Sequence, residues 1–385
     1  MTNSHHIHFA ARSAPARRQS ALKKPLTIAF ASLAFSAMAL PASAAGWWKA
    51  NPSIDIGSTT INVKNKGARG NGSHDDTAAI QAAVNALPRS GGTVYIPAGR
   101  YMVNARKSIR LRSHTRLKLD PRAELVVMPN GASRYHLVKV FNVNNVEIVG
   151  GKMTGDRARH RGNSGEWGYG INISGASNVL VHNIALSEFW GDGMWIGATG
   201  KHGRQDRSNY VTVNNVTSSH NRRQGMSIGP AQHVYIVNST FKNTQGTLPE
   251  AGIDFEPREQ GSADTIRVEN NTFAGNHGNG IEMHANVSNV TLAGNTFTGN
   301  HGFGLMTIGA HHLTLASNHA TRNGLAGVGL SGRTHQSAVR NNKLQYNSTR
   351  YISPSRGGGA DNRDIQIGKH TSSITTVGNQ LTPNN

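Results

Sequence analysis

Five ionisable residues in a chain sparing of acid fall at spacings that could bring them together: Arg223, Asp254, Glu256, Glu282 and His284. Asp254 and Glu256 are two apart in Gly252-Ile253-Asp254-Phe255-Glu256-Pro257, and Glu282 and His284 repeat that spacing in Gly280-Ile281-Glu282-Met283-His284. In a strand, residues two apart point to one side, about 7 Å from each other, and neighbouring strands lie about 4.8 Å apart. If the two words stack, Asp254 meets Glu282 and Glu256 meets His284. Carboxylates this close raise the pKa of one member, which sets a proton donor beside an ionised partner.

Two reactions fit such a patch. Two carboxyl groups flanking a glycosidic bond hydrolyse it, and separations of about 5 Å or about 6.5–9.5 Å distinguish retention from inversion. Alternatively, a cation quenches a uronate carboxylate while a base removes the C5 proton; Arg223 with His284 or a neighbouring arginine suits this β-elimination, which the basic composition slightly favours. Around these five, Asp192 and Gln224 precede their glycines at equivalent places, and Arg222 adjoins Arg223. Trp190 and Trp195, with Trp167 and Tyr169, offer rings that could stack on sugars or pack against a loop. Asp192, Trp195, Arg222, Gln224 and Trp190 are therefore candidate substrate contacts. Solvation is the common fate of an outward carboxylate, and His284 alone would carry no argument; the convergence does. No metal site is legible, and a divalent cation such as Ca2+ is compatible with the acids without being required.

The elements that must position these residues are repeats. Glycine opens successive words: Gly170-Ile171-Asn172-Ile173, Gly193-Met194-Trp195-Ile196, Gly225-Met226-Ser227-Ile228, then those at Gly252, Gly280, Gly304 and Gly327. The intervals are 23, 32, 27, 28, 24 and 23 residues, one turn of a three-sided coil with insertions. The second residue after each glycine gives an outward column of Asn172, Trp195, Ser227, Asp254, Glu282, Met306 and Gly329. A second strand recurs as Val179-Leu180-Val181, Val211-Thr212-Val213, Val234-Tyr235-Ile236 and their successors, each followed by an asparagine (Asn183, Asn215, Asn238, Asn271, Asn295, Asn318, Asn342) suited to a left-handed turn and to a stacked amide ladder. Insertions at 201–209, 245–251 and 348–364 could wall a groove beside the acids. The fold expected is all-β, a single-stranded right-handed parallel β-helix with a short N-terminal capping helix.

The entry segment carries a resemblance. Gly67-Ala68-Arg69-Gly70-Asn71-Gly72, then Asp75-Asp76-Thr77-Ala78-Ala79-Ile80-Gln81-Ala82-Ala83, then Gly92-Thr93-Val94-Tyr95-Ile96-Pro97-Ala98-Gly99-Arg100-Tyr101 resemble the entry module of the pectin-lyase-like superfamily, in the group shared by family 28-related hydrolases, pectate-lyase-3 domains and phage tailspikes. Asp75 or Asp76 would cap a helix whose apolar face carries Ile80, Val84 and Leu87. Asn221-Arg222-Arg223-Gln224-Gly225 and the Asp254 word are similar to paired motifs of bacterial and phage β-helix proteins associated with surface glycans. The likeness specifies fold better than reaction. The chain has no Asn-Thr-Asp triplet, Gly-His-Gly or Arg-Ile-Lys of polygalacturonases, and no Asp-Pro-His-Glu signature of alginate epimerases.

Composition bounds the rest. Among 385 residues there is no cysteine, so the fold must hold by burial and backbone ladders. Five basic residues and no acid precede the apolar run Pro25 to Leu40 and Ala42-Ser43-Ala44, a signal-peptide pattern with cleavage expected after Ala44. The expected domains are thus a signal peptide over 1–44 and a β-helix over 45–385, its N-terminal cap at about 60–105 and coils from about 106, in a secreted or periplasmic protein without a membrane span. Beyond the leader 35 basic residues face 20 acidic, an excess of +15 that favours anionic partners. Nucleic acid is disfavoured for want of a recognition helix or a regular basic and aromatic strand pattern. The expected activity is a carbohydrate-active enzyme cleaving an acidic polysaccharide or exopolysaccharide, as lyase or glycoside hydrolase; a non-catalytic glycan-binding or exopolysaccharide-assembly β-helix is the alternative. Oligomeric state is not legible.

Overall fold

Nearly every coil gives one strand to each of three parallel stacks. The structure, a computed structural model, describes residues 46–201, 204–257, 261–351 and 364–382; the expected leader and most of the third insertion lie outside them. The glycine-led stack runs from Ile109–Arg110 through Arg134–Phe141, Trp167–Ser174, Asp192–Lys201, Gln224–Ile228, Ile253–Phe255 and Ile281–Met283 to Ile365–Ile367. The second stack runs from Thr60–Asn62 and Gly92–Ile96 to Ser372–Val377, the third from Asn71–Asp75 and Gly99–Val103 to Gln380–Thr382. The coil is right-handed, the hand that right-twisted strands impose on parallel crossovers.

Parallel in-register stacking makes columns of like residues, and the columns make the core. On the glycine-led stack Ile171, Met194, Met226, Ile253, Ile281, Leu305 and Val328 pair in succession, each buried. Val179, Val211, Val234, Ile266, Val290 and Leu313 do the same on the second. Phe241, Phe273 and Phe297 stack face to face inside the third, 5.4 and 5.0 Å between centroids. At roughly 1.5–3 kcal/mol per large buried side chain, such columns substitute for the absent disulfides.

Asparagines build two internal ladders where one is expected. Asn271, Asn295, Asn318 and Asn342 each donate Nδ2 to the Oδ1 of the next, ending on Asn379, at 2.9–3.1 Å. A second ladder runs Asn276, Asn300, Asn323, Asn347 and ends on Asp364, at 2.7–2.9 Å. Asn183, Asn215 and Asn238, expected in the first ladder, occupy the slot one residue earlier. They take the left-handed conformation there, as Asn270 does before Asn271, while Ser239 holds the buried slot.

The helix forms over Thr77–Asn85 with Ile80, Ala83 and Val84 buried. The two aspartates divide the expected capping work. Asp75 accepts from the Thr77 amide at 3.0 Å, whereas Asp76 turns away to accept from the amides of Arg69 and Gly70, at 2.6 and 3.0 Å. Arg112 closes the other end by donating to Leu87 O at 2.8 Å.

Candidate active site on the glycine-led face

The expected outward column exists: Asn172, Trp195, Ser227, Asp254, Glu282, Met306 and Gly329 are consecutive Cα partners. The glycines that open these strands permit the close stacking. A Cβ on Gly225 or Gly252 would lie 2.4 or 2.5 Å from the carbonyl oxygen of the next glycine up, so no other residue fits without a backbone shift. Asp192 and Gln224 also pair as expected.

Asp254 and Glu282 meet through a histidine. Asp254 Oδ1 and Glu282 Oε1 each lie 3.2 Å from His284 Nε2, so the two oxygens are no further apart than twice that distance. Gln224 donates Nε2 to Asp254 Oδ2 at 3.0 Å and accepts from the Ala251 amide, while Asn279 donates to Glu282 Oε2 at 2.7 Å. Burial, the largest influence, pushes the Asp254 carboxyl up to about 6 against the opposing pull of His284. Asp254 and then Glu282 push the His284 imidazole up to about 10, against its partial burial.

Glu256 behaves differently from expectation. It does not meet His284. Strand pairing stops at Phe255 and Met283, and Glu256 turns to Arg223, whose two terminal nitrogens reach its two oxygens at 2.8 and 2.9 Å. Arg223 also lies 3.3 Å from Asp192 Oδ2, with its Nε 3.8 Å from Glu166. It is 4% exposed and committed to buried acids, so the expected role of quenching a substrate carboxylate is not met. His284, held protonated, is likewise unsuited to be the base of an elimination.

Of the expected substrate contacts, one faces open space. Trp195 lines a cavity of about 600 Å³ with Arg134, His136, Trp167, Tyr169 and Glu256, and stacks on Tyr169 at 5.7 Å. The hairpin pairing Asp192–Lys201 with the start of Arg204–Ser219 supplies Thr199 and Gly200 to its wall, both just ahead of the first expected insertion at 201–209. Asp192 is fully buried, accepting from Ser227 Oγ at 2.8 Å, and burial pushes its carboxyl up to about 7 against Arg223. Gln224 is buried behind Asp254 and positions it. Trp190 stacks on His160 at 4.0 Å and carries the Arg222 guanidinium on its ring at 3.9 Å, while Arg222 also donates to Gly165 O. Both are packing partners for the loop ahead of Trp167, not groove walls. Arg134 and His136 escaped the sequence reading because their coil lacks the opening glycine; their pairing with Trp167 and Tyr169 was the missing signal.

Among the described residues no group of three or more His, Asp or Glu side chains converges as ligands for a cation. The cluster's carboxylates are already met by Arg223, Gln224, Ser227, Asn279 and His284, so no step is routed through a metal.

A right-handed β-helix with an aromatic cavity and an acid cluster in one outward column is a pectate lyase-like protein. The chain belongs to the rhamnogalacturonase A/epimerase, pectate lyase-like family, whose model matches residues 60–306, and a right-handed β-helix region model matches 232–385. YclG of Bacillus subtilis (strain 168) is 27% identical over 319 residues, 72% of this chain and 53% of that protein, so the chain spans about half of that relative. Among solved structures, the A-module of the mannuronan C-5 epimerase AlgE4 of Azotobacter vinelandii aligns at TM-score 0.61 and 17% identity over 84% of this chain and 97% of that one. PfbA, a surface adhesin of Streptococcus pneumoniae, aligns at 0.64 and 17% over 84% and 90%. At such identities these likenesses show the fold alone.

Proposed function

We propose that the protein is a secreted glycoside hydrolase acting on an acidic polysaccharide, with Asp254 and Glu282 as the carboxyl pair. The observation that carries this reading is the bridging of the two acids by one histidine nitrogen, with Asp254 buried and shifted up to about 6. A carboxyl kept protonated towards neutral pH donates its proton to the departing glycosidic oxygen. Glu282, more exposed and fixed by Asn279, serves as the ionised partner that attacks C1 or takes the proton of the attacking water. The imidazolium occupies the ground between the acids where an oxocarbenium-like charge would develop. It is 38% exposed, against 2% for Asp254, so it is the group that yields when substrate enters.

The hydrolytic reading takes preference over elimination because the two groups an elimination would use are committed otherwise: Arg223 to buried carboxylates and His284 to the protonated form. Incubation with polygalacturonate, alginate and bacterial exopolysaccharides distinguishes the reactions. New reducing ends without the ultraviolet absorbance of an unsaturated uronide are expected. Absorbance appearing with each cleavage would overturn hydrolysis, and binding without turnover on every glycan would support a lectin-like role.

A further inference from the structure

The outward column extends beyond the acid cluster in the N-terminal direction, and its character changes along the way. Arg110 pairs with Lys139, Lys139 with Asn172, and Asn172 with Trp195, before Ser227, Asp254 and Glu282 follow. One face therefore reads cationic, then amide and aromatic, then acidic. From Arg110 to Asp254 is five coil steps, about 24 Å at ~4.8 Å each.

The cationic end is uncompensated. Arg106, Lys107, Arg110 and Arg134 are exposed there, and among the described residues none of these, nor Lys139, is ion-paired with a carboxylate. Lys139 lies 5.5 Å over Phe141 and Arg134 4.9 Å over Trp167, contacts that hold the charges near apolar surface without neutralising them. Burial and then Arg110 pull Lys139 below its ordinary value, and burial, Lys139 and Arg134 together pull His136 down to about 3. Like charges crowded on one face are relieved by an anion, whereas scattered solvated lysines would not press on one another.

We propose that Arg110 and Lys139, flanked by Arg106, Lys107 and Arg134, form an anion-binding subsite that holds a carboxylate of a polyuronide several sugar units from the bond processed at Asp254. The inference rests on the reading of Asp254 and Glu282 as the reacting pair only for the polarity it assigns; the subsite itself is a matter of binding. A glycan lying along the column sets one of its carboxylates at Arg110 and Lys139, a sugar face on Trp195 and Tyr169, and its scissile bond over the acids. A short oligomer cannot occupy both ends.

The test measures binding and turnover separately, with oligogalacturonates of three and eight units and a neutral xylan oligomer of eight. The full chain, R110E/K139E and D254N are compared after circular dichroism and thermal melting have shown each to be folded. The octamer is expected to bind the wild type at least about tenfold more tightly than the trimer or the xylan oligomer, with an advantage that shrinks as salt rises. R110E/K139E removes that advantage, and D254N retains it while losing turnover. Equal octamer affinity in wild type and R110E/K139E, or no length dependence in the wild type, overturns the subsite. Length-dependent binding that R110E/K139E abolishes, in a wild type that turns over none of these oligomers, upholds the subsite and removes the hydrolytic reading alone.

Discussion

Arg223 and Glu256 meet fork to fork, at 2.8 and 2.9 Å, in a place where neither side chain is more than 8% exposed. The pair is the hinge between the acid cluster and the aromatic cavity, because Glu256 lines the cavity and Arg223 leans on Asp192. Removing the guanidinium takes away the cation that faces two buried carboxyl groups. R223A is expected to lose about 3–5 kcal/mol of stability, measured by denaturant unfolding. R223K keeps the charge but loses the planar fork and should recover only part of it. A loss below about 1 kcal/mol for R223A would mean that water already satisfies these acids.

Three groups of the site bind protons more tightly in the folded chain, and the sign of each is the same. Asp254 rises from 3.8 to about 6, Asp192 from 3.8 to about 7, and His284 from 6.5 to about 10. A group with a raised folded pKa contributes stability that is present below its unfolded value and lost as pH climbs through the folded one. These three groups therefore withdraw stability from about pH 4 to 7 through the aspartates and from about 6.5 to 10 through His284, while His136, pulled down to about 3, adds stability as pH rises towards 6.5. D192N should flatten the first fall and H284Q the second, in thermal melts taken across pH. A D192N or H284Q profile that runs parallel to the wild-type one over its window would contradict the placement of that group.

Activity should carry the signature of Asp254. If its carboxyl gives the proton, kcat/KM declines above about pH 6, and D254N lowers it by about a hundredfold or more. His284 holds the Asp254 pKa down, so H284Q is expected to move the alkaline limb to higher pH. A limb that stays in place in H284Q would separate the histidine from the proton donor.

How much of this was written in the chain follows from what a repeat can encode. The glycine-led words placed Asn172, Trp195, Ser227, Asp254 and Glu282 in one column because strand pairing in a parallel coil leaves a single register. Register does not decide where a side chain goes once pairing ends. Glu256 and His284 lie just past their strands, and there a buried guanidinium and a pair of carboxylates settled their partners. Trp190 and Arg222 were ambiguous for a related reason: an aromatic ring and a guanidinium suit a glycan as well as each other. The second asparagine ladder was legible in the 24- and 23-residue spacing of Asn276, Asn300 and Asn323, but was hidden by the longer run of asparagines that follows the second strands.

That ladder gives a further test. Asn300 donates to Asn323 Oδ1 at 2.9 Å and to Phe273 O at 3.0 Å, and its own Oδ1 accepts from Asn276 at 2.8 Å. N300A leaves buried groups on two coils without partners and should cost about 2–4 kcal/mol, with unfolding still cooperative. N215A, in the exposed left-handed slot, should cost about 1 kcal/mol or less. Equal losses at the two positions would show that turn conformation, not the internal amide chain, holds the corner.

The segment that follows the expected cleavage site is tied to the second stack, not to the stack that carries the acids. Trp48 packs against Arg267, whose guanidinium sits 4.3 Å over its ring, Trp47 meets His233 at 5.0 Å, and Asn51 accepts from Asn214 at 3.0 Å. These contacts join residues more than 160 positions apart and leave the glycine-led face untouched. W48A should therefore cost about 1–2 kcal/mol through lost ring burial and cation contact, and speed proteolysis near residue 50, while kcat and KM stay at wild-type values. A fall in kcat with W48A would overturn the separation of this strap from the reacting groups.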